Sequence, residues 1–343
     1  MLHTVRDEVT VLAGCHARTV TTSIGIAMFD EHELTGPEVL INADLAMYDA
    51  KDAGRNCYAV HVPNTEQPTT RARLAWVDRI RHALDHERFT LFAQPIMDLR
   101  ARTITRHELL LRMLDDNGDV ISPATFLGVA EKFGLIGHID RWVVDQTIST
   151  LAAHPDLDLT FEVNLSGVSI GDPELLEFIE QRLAEAPTVD PAQLTFEITE
   201  TAAVANIARA RAFADRLTAL GCSFALDDFG AGYGSFYYLK HLPFADLKID
   251  GEFITNCLTS VTDRLVIDAV IGVARGLGKH TIAEYVGNQA TLDFLADHGV
   301  DYAQGFYIGH PALLDETIKK IRAESRQEQP ARSLWPQQRS GGT

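Results

Sequence analysis

Residues 223–235 read Ser223-Phe224-Ala225-Leu226-Asp227-Asp228-Phe229-Gly230-Ala231-Gly232-Tyr233-Gly234-Ser235, and the order of chemistry in them decides the fold. Apolar Phe224, Ala225 and Leu226 lead into two adjacent carboxylates, and these into a glycine-rich loop. A short apolar run closed by turn residues is the pattern of a buried strand. The next such run, Leu247-Lys248-Ile249-Asp250, again carries charge at its end. Outward in both directions the unit recurs. Phe89–Asp98, Thr103–Leu111, Leu159–Asn164, Leu194–Thr199, Ser223–Asp228, Ala245–Asp250, Lys279–Glu284 and Tyr302–Ile308 read as strands. Amphipathic Arg141–Ala153, Glu174–Ala186, Ile207–Leu220, Asp263–Leu277 and Gln289–His298 read as helices between them. Repeated βα units imply a mostly parallel sheet. Eight strands over roughly 230 residues fit an α/β fold of the (β/α)8, TIM-like barrel type rather than an open doubly wound sheet. The first two strands adjoin without a helix, so the barrel is expected to start irregularly.

The chain has 343 residues, with 30 Lys+Arg against 48 Asp+Glu and a formal net charge of −18. Non-specific nucleic acid binding is excluded, because phosphate contacts need a cationic face. A phosphate ester remains possible as a ligand if metal ions or a few placed cations supply the positive charge. Hydrophobic residues make up 46% of the chain, enough for a full-sized core. Cys15, Cys57, Cys222 and Cys257 lie far apart without a CxxC pair, which excludes a zinc framework and points to reduced thiols. No apolar run is long enough to span a membrane. The first residues, Met1-Leu2-His3-Thr4-Val5-Arg6-Asp7-Glu8, are too polar for a signal peptide, so a cytoplasmic location is expected.

At the N-terminal side, Thr19–Ala27 reads as a strand, Gly36–Gly54 as a helix and Arg55–His61 as a second strand. Residues 1–62 thus form a small α/β fragment. Polar, proline-bearing Pro63–Thr70 opens a linker at 63–75, and a charged helix, Arg71–His86, leads into the main domain at 76–318. Residues 325–343, rich in Gln, Arg, Ser, Pro and Gly, read as a disordered tail.

One polar residue stands at the same end of nearly every strand: Glu108, Asn164, Glu197, Asp227 with Asp228, Lys248, Glu284 and Gln304. A barrel active site has this arrangement. Scattered surface acids would explain any one of these residues; eight in register are specific. The set holds five carboxylates, two amides and a lysine, and neither histidine nor cysteine. Such hard oxygen donors suit Mg2+ or Mn2+ rather than zinc. Two divalent ions sharing a carboxylate would let the acids stay ionised and would make a two-metal phosphodiesterase site. Arg112, four residues after Glu108, is a candidate for a bidentate phosphate contact. The loop after Asp228 has GxGxG spacing behind two acids, which argues against a dinucleotide-binding turn and for a mobile loop near the ligands. His107 beside Glu108 should point to the opposite face of its strand.

These motifs resemble the EAL domain, the phosphodiesterase module that hydrolyses the bacterial second messenger cyclic di-GMP. The matching segments are Gln94-Pro95-Ile96, Glu108-Leu109-Leu110-Leu111-Arg112, Asn164-Leu165-Ser166, Glu197-Ile198-Thr199-Glu200, Asp227 to Tyr233, Leu247-Lys248-Ile249-Asp250, Ala283-Glu284 and Ala303-Gln304-Gly305-Phe306, in the family's order. Residues 1 to about 61 resemble the C-terminal end of a GGDEF (diguanylate cyclase) domain, through Ser23 to Ala27 and Ala43 to Asn56. The GGDEF turn is absent from the chain, so the resemblance implies no cyclase activity. It does imply that Glu108, Asn164, Glu197 and Asp227 hold one metal, and that Asp227, Asp228 and Glu284 hold a second. It further implies that Lys248 orients the attacking water, that Glu284 acts as general base and that Gln304 positions water. Gln94, Arg112 and Asp250 would face substrate, and Glu200 would anchor the loop after Asp228. The product would be linear pGpG, and a homodimer is implied as well.

The chain also departs from the family pattern. It has Leu109 where the family name has alanine, Ala245 in place of an acid before the lysine, and Gly234 in place of a common serine. Tyr285-Val286-Gly287 stands where Gly-Val-Glu is usual. None removes a matched ligand. The alternative reading is a catalytically weak EAL module that binds cyclic di-GMP as a receptor. A further rival is another metal-dependent barrel enzyme acting on phosphate esters.

Overall fold

A computed structural model of the chain describes residues 9–11, 17–19, 22–28, 43, 46, 47, 50, 56–61, 68–230 and 236–328. Two compact units divide at Arg79/Ile80.

In the first unit, β1 (Val9–Val11) and β2 (Ala17–Thr19) pair antiparallel, and β3 (Ile24–Ala27) and β4 (Tyr58–His61) pair parallel. The expected strand Thr19–Ala27 is therefore divided between β2 and β3. Of the expected helix Gly36–Gly54, the described residues Ala43, Ala46, Met47 and Ala50 are helical; the remainder lies outside the described residues. These residues explain Gly25: a Cβ there would meet Ala43 O at 1.9 Å and Met47 N at 2.1 Å. Helix α1 (Pro68–Asp85) begins inside the stretch read as a linker. Proline at a first helical position sacrifices no hydrogen bond and starts with the right φ.

The second unit is a closed eight-stranded barrel. Its strands are β5 (Phe89–Asp98), β6 (Thr103–Leu114), β8 (Phe161–Asn164), β9 (Leu194–Thr199), β10 (Ser223–Phe229), β11 (Asp246–Ile249), β12 (His280–Ala283) and β13 (Tyr302–Gln304). From β6 to β13 neighbours run parallel, while β5 runs antiparallel to both β6 and β13. The irregular start is thus a hairpin in place of the first βα unit. Its turn is closed by Asp98 Oδ1, which accepts from the backbone N–H groups of Arg100 at 2.8 Å and Ala101 at 2.7 Å. Two short strands, β7 (Val120–Ile121) and β14 (Ala312–Leu313), extend the sheet on β6 and β5.

The surrounding helices are α2 (Pro123–Lys132), α3 (Ile136–Ala153), α4 (Pro173–Glu185), α5 (Glu200–Ala205), α6 (Ile207–Leu220), α7 (Gly251–Thr255), α8 (Val261–Gly276), α9 (Gln289–His298) and α10 (Leu314–Glu328). Asp172, Asn206, Ser260 and Asn288 cap α4, α6, α8 and α9 by accepting a first-turn N–H, each replacing a bond the helix cannot make itself. Strand β13 stops at Gln304, short of the expected Ile308, because Gly305 turns the chain and its carbonyl accepts from the N–H groups of Ile308 and Gly309. Helix α10 runs to Glu328, so the first residues of the expected tail are helical; residues 329–343 lie outside the described set.

Phe161, Phe196 and Phe224 are fully buried and alternate along their strands with the charged residues. Strand alternation sends successive side chains to opposite faces. Lys248 on β11 reaches Glu108 on β6, which is not its neighbour in the sheet. That contact crosses the barrel, so the charged residues face the interior.

Candidate active site

Lys248 is completely buried, and its Nζ lies 2.9 Å from Glu197 Oε2, 3.1 Å from Glu284 Oε1, 3.5 Å from Glu108 Oε2 and 3.6 Å from Asp227 Oδ1. Burial alone would neutralise a lysine. Burial is the largest influence here and pulls its pKa down. The four carboxylates together outweigh it, and the ammonium is held well above its ordinary value.

The acids respond in the other direction. Burial, helped by Asp227 and Glu108, pushes Glu284 up to about 8 despite Lys248. Burial and the adjacent Asp227 push Asp228 up to about 6. Burial also raises Glu197, with Glu162 and Glu108 adding to the effect. Asp228 adopts a left-handed backbone, φ 53°, a conformation that aspartate tolerates better than most residues. Its N–H donates to Asp227 Oδ1 at 2.9 Å. Asp227, Asp228 and Glu284 each offer an oxygen within 4.8 Å of the others.

The amides fix Glu108. Asn164 Nδ2 donates to its Oε1 and Gln304 Nε2 to its Oε2, both at 2.5 Å. Gln304 Nε2 also reaches Gln94 Oε1 at 3.3 Å, and Gln94 Nε2 reaches Gly309 O at 3.3 Å. Arg112 shares the strand face of Glu108, but its Nη1 donates to Leu111 O at 2.7 Å. Asp250 caps α7, accepting from Glu252 N at 2.7 Å. Glu200 is buried at the start of α5. Its Oε2 accepts from Gly230 N at 2.9 Å and its Oε1 from the Tyr238 hydroxyl at 2.7 Å, so it ties together the two ends of the loop after Asp228. Residues 231–235, including Gly234, lie outside the described residues. Phe236–Lys240 forms a 3-10 turn rather than the α-helix expected over Phe236–His241.

A second charged layer lies one side-chain step below. Arg106 Nη1 is 3.2 Å from Glu162 Oε1 and 3.1 Å from Asp246 Oδ2, and its guanidinium lies 4.0 Å from the Tyr302 ring centre. His280 Nδ1 approaches Asp246 Oδ1 at 3.5 Å. The sequence reading missed this layer, although the signal was present: Arg106, Glu162 and Asp246 precede Glu108, Asn164 and Lys248 by two residues, the repeat of one strand face. His107, on the other face, is buried, and burial lowers its pKa to about 4.

The upper ring opens into a cavity of about 420 Å3 lined by Glu108, Arg112, Asp227, Asp228, Glu284 and Gln304, among others. The five carboxylates meet Lys248 and, at the cavity wall, Arg112, which leaves negative charge in excess. Raised acid pKa values are the metal-free response to that excess. The donor set therefore fits two hard divalent cations, whose charge would offset it.

A closed α/β barrel whose strands carry a cluster of carboxylates into its interior defines an α/β-barrel protein with an acidic cavity. The chain belongs to the EAL domain family, whose family model matches residues 77–311. A second model, "Diguanylate cyclase, GGDEF domain", matches residues 3–57. The cyclic di-GMP phosphodiesterase PdeB of Shewanella oneidensis is 36% identical over 301 residues, covering 86% of this chain and 35% of PdeB. The chain spans about a third of the length of the curated relatives it first matches. Among solved structures, a PaMucR phosphodiesterase in complex with c-di-GMP superposes with TM-score 0.67 at 30% identity, over 71% of this chain and 99% of that one. The EAL domain of FimX from Pseudomonas aeruginosa, bound to c-di-GMP, gives TM-score 0.65 at 32% identity, over 69% and 96%.

Proposed function

We propose that this chain hydrolyses cyclic di-GMP to linear pGpG with two divalent ions, Mg2+ or Mn2+. The observation that carries the reading is the set of four carboxylates within 3.6 Å of the buried Lys248, with Asp228 close to Asp227 and Glu284. Glu108, Asn164, Glu197 and Asp227 would hold one ion, and Asp227, Asp228 and Glu284 the other. Bound there, the ions would supply positive charge for the phosphodiester and lower the pKa of a water. Lys248 orients Glu197 and Glu284 and keeps an ammonium beside the reacting phosphate. Glu284, at hydrogen-bond distance from Lys248, is the general base. Gln304 holds Glu108 in place and positions water, while Gln94, Arg112 and Asp250 contact substrate. The bond broken is that between phosphorus and a ribose 3′ oxygen.

The main domain at 76–318 would carry this activity. A homodimer in the cytoplasm is the proposed working form. No helix among the described residues is long and apolar enough to cross a membrane.

A second reading, a receptor that binds cyclic di-GMP with little turnover, is favoured by Gly287. It lines the cavity where the family has a glutamate and offers no side chain to support the ring. The two readings separate on turnover in Mg2+ and Mn2+, measured alongside Glu108→Ala. Hydrolysis abolished by that substitution supports the enzyme. Undiminished hydrolysis in the variant defeats this site assignment. Binding by wild type without turnover favours the receptor.

A further inference from the structure

Tyr285 combines three features. Its backbone is left-handed, φ 55°, a conformation costly for an aromatic residue. Its side chain is 72% exposed, so the strain gains little burial. It also lines the carboxylate cavity immediately after Glu284.

The surrounding structure enforces the conformation. Val286 N donates to Gln304 O at 2.9 Å, and Tyr307 N donates to Val286 O at 3.1 Å. Val286 is fully buried, and Gly305 admits it closely, since a Cβ on Gly305 would lie 2.3 Å from its backbone. The ring rests on Gly251, directly after Asp250; a Cβ on Gly251 would meet Tyr285 Cδ2 at 2.1 Å. A missing side chain at 251 therefore makes the seat for the ring at 285. Phe306, 64% exposed, lines the same cavity and stacks on His310 at 4.3 Å.

We propose that Tyr285 is a specificity-determining residue whose ring, seated on Gly251, stacks on a purine base of the nucleotide diester as its phosphate enters the carboxylate ring. The inference rests on the proposed cyclic di-GMP reading. An aromatic face beside a phosphate site is a general platform for bases. The strain at Tyr285 is retained because it turns that face toward the cavity. Glycine would relax the backbone and remove the platform.

The test is steady-state hydrolysis of cyclic di-GMP by the full chain in Mg2+, or calorimetric Kd if the chain binds without turnover. Tyr285→Gly is expected to raise KM or Kd about tenfold, the loss of one stacked base, with a smaller change in kcat and no fall in Tm. Tyr285→Phe should stay within about twofold of wild type, the ring being retained. Gly251→Ala, which pushes the ring off its seat while suiting a helical first turn, should follow Tyr285→Gly. Unchanged KM in Tyr285→Gly with an active wild type overturns the stacking role alone. So does a fall in kcat at constant KM, or a failure of phenylalanine to rescue. A wild-type chain that neither binds nor hydrolyses cyclic di-GMP overturns the proposed function, and the stacking role with it.

Discussion

Lys248 places one positive charge among Glu108, Glu197, Asp227 and Glu284 with no exposure to solvent. Removing one partner of a buried ion cluster typically destabilises by about 3–5 kcal/mol, because the remaining charges stay buried without compensation. Lys248→Met is therefore expected to lower the stability of the metal-free chain by about that amount in urea unfolding. Divalent ions should restore much of the loss, and turnover should not return. Arg106 is the corresponding residue of the lower layer, holding Glu162 and Asp246, which are 0% and 2% exposed. Arg106→Met should cost a similar amount, and adding Glu162→Gln and Asp246→Asn should recover part of it. Equal stability of the single and triple variants would contradict that pairing. The polar residues of the upper ring were legible because each interrupts an apolar strand. The lower layer follows the same period, but a search confined to strand ends passes over it. Tyr285 was legible only as a departure from a usual glycine; that its backbone is left-handed, φ 55°, needed the structure.

Among the elements, the parallel strands and long helices follow from hydrophobic period, and their order along the chain already implied the barrel. Helices α5 and α7, of six and five residues, are too short to show a period. Strands β7 and β14, of two residues each, depend on pairing with β6 and β5 and carry no signal of their own. The loop after Asp228 is the element most open to test. Its two ends meet on Glu200 through Gly230 N and the Tyr238 hydroxyl. Tyr238→Phe removes one of these bonds, worth about 1 kcal/mol. Faster amide exchange should follow at the flanking residues 229–230 and 236–240 and not in the β5–β6 hairpin. Unchanged exchange at the loop ends would show that Glu200 does not tether it.

Across the whole molecule, pH dependence follows from the acids that the fold buries. Glu284 titrates at about 8 in the folded, metal-free chain, against about 4.3 in an unfolded one. A folded pKa raised above the unfolded value gives a contribution present at low pH and lost as pH rises through the folded value. Asp228 and Asp140, both raised to about 6, act in the same sense, as does His280, raised by its bond to Asp246. His107, lowered to about 4, opposes them only below about pH 6.5. The metal-free chain should therefore lose thermal stability between about pH 6.5 and 8.5. Mg2+ or Mn2+ should raise Tm more at the upper end, because metal ions and protons compete for the same oxygens. A metal-induced shift that shrinks as pH rises would contradict this.

The most direct measurement is chromatographic. The purified chain is incubated with cyclic di-GMP in Mn2+ or Mg2+, with an EDTA control, and the nucleotides are separated. The carboxylate ring predicts pGpG that appears with either metal and vanishes with EDTA. Intact cyclic di-GMP at saturating metal, or pGpG formed equally in EDTA, would contradict a metal-dependent hydrolase.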